Sequence, residues 1–251
     1  LDAVFADISL WQLVLVAGVA LFASIVGGVT GYGSSALMPL VLVPLIGAAP
    51  VVPIVSISGL FNNGSRSIVF RQFIDVKRSA ILLAGSVPAC MLGAYSYTKL
   101  TSAGILIAIG TMLCLSVPLR RLLLHFNVRL DNRGLLVGAV GYGFLTGTTT
   151  GSGVILLSLL MAAGLQGAQV VATDAVVSVV VAVAKLMVFG MSGSLTPQVI
   201  AFGLLIGIVA LPGAYLAKRF VEALPVHVHT GILDGIVILG GGAMIFGAFR
   251  S

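Results

Sequence analysis

The sequence predicts an all-α polytopic membrane protein, built from two inverted-topology repeats of five hydrophobic segments each. Three observations predict it: an oily composition, two halves that resemble each other, and charge gathered on one side. Of 251 residues, 59% are hydrophobic and 8% charged, against roughly 25% charged in an ordinary soluble domain. Mean hydropathy is +1.20. A membrane helix needs about 20 apolar residues, so the chain has room for roughly eight to ten segments and for no soluble catalytic domain.

The first apolar run, 10–29, follows the acidic opening "LDAVFADISLW", the opposite of a basic signal-peptide start, so it is expected to stay in the mature protein. It runs into "GGVTGYGSSALMP" at 27–39, where glycines, a tyrosine and two serines interrupt it, and resumes over 33–47. Segments 50–70, 79–97 and 103–124 complete a first set of five; 133–147, 151–165, 167–190, 196–217 and 229–249 form a second. The sets resemble each other in order. "GYGSS" at 31–35 answers to "GSGVI" at 151–155, "RSIVF" at 66–70 to "KLMVF" at 185–189, and "MLGAYSYTK" at 91–99 to "LPGAYLAKR" at 211–219. The chain therefore divides into a first repeat, 1–130, and a second, 131–251.

Five passes per repeat make the second half enter the membrane from the opposite side. Charge tests this independently. On the ten-segment count one side holds Arg71, Asp75, Lys77, Arg78, Arg120, Arg121, Arg129, Asp131, Arg133, Lys218, Arg219 and Glu222, which together carry the whole net charge of +6. Asp2, Asp7, Lys99 and Arg250 on the other side cancel, as do Arg66, Asp174, Lys185 and Asp234 within segments. The positive-inside rule makes the basic side cytoplasmic and puts both termini outside. The basic excess thus reads as topology, and no nucleic-acid partner is expected. As helices, 33–47 and 151–165 are only about 22 Å long, short of a hydrocarbon core roughly 30 Å thick, so they are either short spans or re-entrant arms.

Broken backbone at membrane depth is tolerated only inside protein or beside a water-filled cavity. The candidate anion site therefore includes Gly31, Tyr32, Gly33, Ser34 and Ser35 at the first break, and Thr148, Thr149, Thr150, Gly151, Ser152 and Gly153 at the second. A half-helix N-terminus there offers unpaired N–H groups and about half a positive charge, and the hydroxyls add donors. The alternative is close helix packing, which also favours glycine and small polar residues. Asn62 and Arg66, with Ser58, form an i,i+4 stripe; Asp174, Ser178 and Lys185 form a similar one. A cation inside a membrane segment costs at least about 2.5 kcal/mol on insertion scales, so Arg66 and Lys185 are expected to attract substrate, with snorkelling to the interface as the alternative. Asp174 and Lys185 sit roughly 16 Å apart along one helix, too far to neutralise each other. Asp174 is the candidate proton-coupling acid, because low-dielectric surroundings favour the proton-carrying form of a carboxyl; a satisfied helix polar group is the alternative.

Cys90 and Cys114 lie in apolar segments without ligand spacing and read as packing residues. His125, His227 and His229 fall in loops, and Asp234 reads as a local cap or pair. With no carboxylate pair, His cluster or Cys–His pair, the chain is expected to have no catalytic residues, no metal site and no cofactor.

The breaks "GYGSSALMPL" and "GFLTGTTTGSG", the "VVATD" run at 170–174 and the recurring "GAY" resemble the sulfite/sulfonate exporter family TauE/SafE, also called the toluene sulfonate uptake permease family, along essentially the whole chain. The resemblance implies transport of small sulfur-containing anions, such as sulfite, sulfoacetate, thiosulfate or aryl sulfonates, across the lipid bilayer of the cytoplasmic (inner) membrane, driven by protons. Two departures stand out. Where the family carries a richer glycine cluster, this chain has Tyr32; where a small hydroxyl residue is usual, it has Asp174. The expected function is secondary active transport by alternating access, with an anion channel or uncoupled facilitator as the alternative.

Overall fold

The computed structural model describes residues 8–30, 33–125, 129–221 and 226–249, with side chains at 26–34, 120–128 and 213–234 outside that description. The described residues form ten α-helices and no strand: α1 (Leu10–Thr30), α2 (Gly33–Ile46), α3 (Val51–Val69), α4 (Val76–Tyr97), α5 (Ser102–His125), α6 (Asn132–Thr148), α7 (Gly153–Ala162), α8 (Ala168–Met191), α9 (Pro197–Val221) and α10 (Val226–Ala248). Each falls on one expected segment. By length and composition, Val76–Tyr97, Ser102–Leu119 and Ala168–Met191 are apolar enough to cross a membrane.

Helix ends follow local chemistry. Asp75 caps α4, its carboxylate accepting from the Arg78 backbone N–H at 2.9 Å, and Asp131 caps α6 by accepting from the Gly134 N–H at 2.8 Å. Both caps satisfy donors that the helix itself leaves unpaired. The break between α6 and α7 is made by Thr149, which is fully extended (φ −151°, ψ −171°), and by Gly151 at φ +88°, a left-handed conformation that favours glycine. α7 has 10 residues, about 15 Å, and cannot span a hydrocarbon core. The Leu130 N–H just before α6 donates to the Ala162 carbonyl at the end of α7 at 2.8 Å, so the pair is a broken hairpin that returns to the end it entered from.

The helices pack as α4 on α6, α1 on α9, α5 on α10, α3 on α8 and α9, and α4 on α8. That pattern is unchanged when each helix is exchanged for the one five places along the order. At the α4/α6 crossing the backbones touch: a Cβ on Gly143 would collide with the backbone of Ser86, and one on Gly147 with the Cys90 carbonyl. Gly110 of α5 and Gly241 of α10 meet in the same way, a Cβ on either coming within 2.6–2.8 Å of the other's carbonyl oxygen. Such small-residue crossings hold helices together in lipid, where no hydrophobic force draws them to each other.

Candidate functional site

Around α3 and α8 the packing is different. A cavity of about 110 Å³ opens between them, and the second break and α6 complete its wall. The i,i+4 stripe on α3 brings Ser58, Asn62 and Arg66 to it, and α8 presents Asp174, Ser178 and Lys185. Thr150, Gly151, Ser152 and Gly153 come from the break, and Ser35 from the first turns of α2. The second break touches the first turn of α2: the Thr150 hydroxyl donates to the Ser35 carbonyl at 2.7 Å. α7 therefore starts at the cavity wall, with no side-chain cap on its first N–H groups.

Arg66 reaches across from α3 to Asp174 on α8, Nη2 to Oδ2 at 3.6 Å, and its Nη1 donates to Asn63 Oδ1 at 3.4 Å. The two charged side chains are only 10% and 4% exposed. Lys185 is 9% exposed, and among the described residues it forms no ion pair. Both cations thus point into the protein instead of snorkelling. Arg66 is charge-balanced and Lys185 is not.

Two expected site residues turn elsewhere. The Thr148 hydroxyl bonds back to the Phe144 carbonyl at 3.0 Å, and the Thr149 hydroxyl donates to the Ala108 carbonyl of α5 at 3.3 Å, so neither lines the cavity. Gly31 and Tyr32 lie outside the described residues; Gly33 and Ser34 open α2, and the Ser34 side chain is likewise outside the description. The sequence reading missed Asn63, Tyr142 and Thr146, all of which line the cavity. Tyr142 and Thr146 sit one turn apart on α6, and the Tyr142 hydroxyl lies beside the Ser178 and Thr146 side chains. Their i,i+4 spacing inside an apolar helix was the available signal. Among the described residues no group of three His, Cys, Asp or Glu side chains gathers where a metal could bind.

A model of the sulfite exporter TauE/SafE family matches residues 16–244, nearly the whole chain. The chain belongs to the TauE/SafE family. The match takes in both breaks, both buried cations and Asp174. Membership makes this a multi-pass membrane protein of a transporter family, and implies a sulfur-containing anion as its substrate. No curated protein and no solved structure matches the chain.

Proposed function

We propose that this TauE/SafE protein is a proton-coupled secondary transporter. It moves a small sulfur-containing anion across the cytoplasmic membrane by alternating access between two inverted repeats, 1–130 and 131–251. The observation that carries the reading is Lys185, a buried cation without a counter-charge among the described residues, in a polar cavity where the break between α6 and α7 meets the start of α2. An uncompensated charge away from water is costly, and an anion that binds there removes the cost. The start of α7 and the Ser152 and Asn62 side chains supply further donors to the anion's oxygens. Asp174, held by Arg66, is the group that takes up the coupling proton.

The volume favours a small substrate. At about 110 Å³ the cavity is smaller than the roughly 150 Å³ pocket that admits benzene, which disfavours an aryl sulfonate in this conformation. The exchange symmetry of the helix packing supports the two repeats. Orientation is supported by contacts at one end: the basic α3–α4 connection bonds to the start of α8 through Asp75 and Thr173, and the basic α5–α6 connection to the end of α7. These loops are cytoplasmic and both termini outside.

The test is transport in proteoliposomes. With an imposed pH gradient, sulfite or thiosulfate should accumulate against its own gradient, saturably, and Lys185→Ala should reduce uptake at least tenfold. Downhill flux alone, unchanged by the pH gradient, would identify an uncoupled facilitator or channel. Absence of both binding and flux for every sulfur anion tried, by a folded protein, would overturn the reading.

A further inference from the structure

The charges around the cavity specify how anion valence and proton uptake are linked. Among the described residues, the ionisable groups facing it are Arg66 from α3, Asp174 and Lys185 from α8, and the Tyr142 hydroxyl from α6; the Cys90 thiol of α4, donating to the Val181 carbonyl at 3.8 Å, lies near Lys185 outside the lining. α2, α7 and α9 bring only Ser35, Gly153, Ile206 and Ala210, which do not ionise. Tyrosine and cysteine are neutral in their usual forms near pH 7. With Asp174 ionised, Arg66 is balanced and the site carries one positive charge, that of Lys185. With Asp174 protonated it carries two.

A buried site is most stable when its charges cancel. We propose that a divalent sulfur oxyanion enters together with one proton that settles on Asp174, whereas a monovalent sulfonate binds with none. In the first case the proton bonds to a carboxylate oxygen, the Arg66–Asp174 attraction is lost, and the anion's second charge takes over as Arg66's partner. Charge balances in both: Arg66 and Lys185 against a dianion with neutral Asp174, or against a monoanion plus ionised Asp174. The inference rests on the sulfur-anion reading of this same site and adds the substrate's valence and its proton count.

Calorimetry on the purified full chain tests it, with thiosulfate as the dianion and methanesulfonate as the monoanion, each titrated at one pH in buffers of different ionisation enthalpy. The dependence of heat on buffer gives the protons taken up. The expected result is one proton per thiosulfate and none per methanesulfonate, with thiosulfate affinity falling tenfold per unit rise in pH. In Asp174→Asn, whose amide is permanently neutral, thiosulfate should still bind and its buffer dependence should vanish. Equal proton counts for the two ligands, or none for thiosulfate, overturn the inference while leaving the anion site standing. The wild-type comparison decides this even if the variant fails to fold. Failure of both ligands to bind sinks the sulfur-anion reading first, and the valence rule with it; if only thiosulfate binds, its own proton count decides the rule.

Discussion

The α4/α6 and α3/α8 contacts lie side by side in one bundle and are built on opposite rules. At α4/α6 the side chains are reduced to hydrogen so that backbones touch through Gly93, Gly143 and Gly147. At α3/α8 the helices also pack against each other but keep long polar side chains, and Arg66, Asp174 and Lys185 line the cavity there. The first contact has no space to give up and no charge to titrate; the second has both. In lipid, close packing and polar pairing are the two means of holding helices together, and here they are assigned to different seams. On the proposed alternating access, the α4/α6 contact between the two repeats is expected to be kept and the rearrangement to fall at α3/α8, where charged partners can be exchanged.

The harshest way to break the comparison is to give the dry seam a side chain. Gly147→Leu would drive atoms into the Cys90 carbonyl and the Ala94 amide, which are backbone and cannot swing aside. Overpacking costs about 1–3 kcal/mol where side chains can adjust and more where backbone must shift, so no folded monodisperse protein should be recovered on detergent size exclusion. A folded Gly147→Leu protein would show that the seam is loose. Next in size is the wet seam. Arg66→Met leaves the Asp174 carboxylate buried without its partner, and removing one member of a buried pair costs about 3–5 kcal/mol. The double variant Arg66→Met with Asp174→Asn should recover most of the lost melting temperature. No recovery would mean that the pair is not coupled.

The dry and wet seams also differ in how far the sequence disclosed them. Helix positions were legible throughout, because charge, glycine and proline interrupt an otherwise apolar chain at each connection. The bounds differ most at α7, expected over 151–165 and observed as Gly153–Ala162 because the connection beyond it turns through Gly164 and Gly167, both at positive φ, and at α9, which runs past its expected end at 217 to Val221; α4 and α10 start at Val76 and Val226, ahead of the expected 79 and 229. The polar stripes on α3 and α8 were legible from their spacing. Their pairing was not: whether Asp174 faces Arg66 or stands alone depends on the relative register of two helices more than a hundred residues apart in sequence. For the same reason Thr150 and Thr149 could not be told apart in advance. One extended residue in the break sends the first hydroxyl to Ser35 and the second to α5.

The smallest effect is expected where the two seams are joined, in the connection from α3 to α4. Asp75 lies there outside the spanning segments. Its carboxylate accepts from the Arg78 backbone N–H and pairs with the Arg78 guanidinium at 2.6 Å, while its own N–H donates to the Thr173 hydroxyl beside Asp174 at 3.1 Å. The bond from the Arg78 N–H, more than the nearby guanidinium, holds its pKa below the ordinary 3.8, against an opposing push from partial burial. A carboxyl with a lowered folded-state pKa stabilises the protein above the unfolded value and loses that contribution as pH falls through the folded one. Asp75→Ala should therefore cost about 1 kcal/mol at pH 7, as for other lost N-caps, and Asp75→Asn only a few tenths, because the amide oxygen still caps. The melting advantage of the wild type over Asp75→Asn should be flat from pH 7 to 5 and shrink below 4. If it instead persisted unchanged to pH 3, the Arg78 contact would be contributing packing and not charge, and the link between the seams would be the Thr173 bond alone.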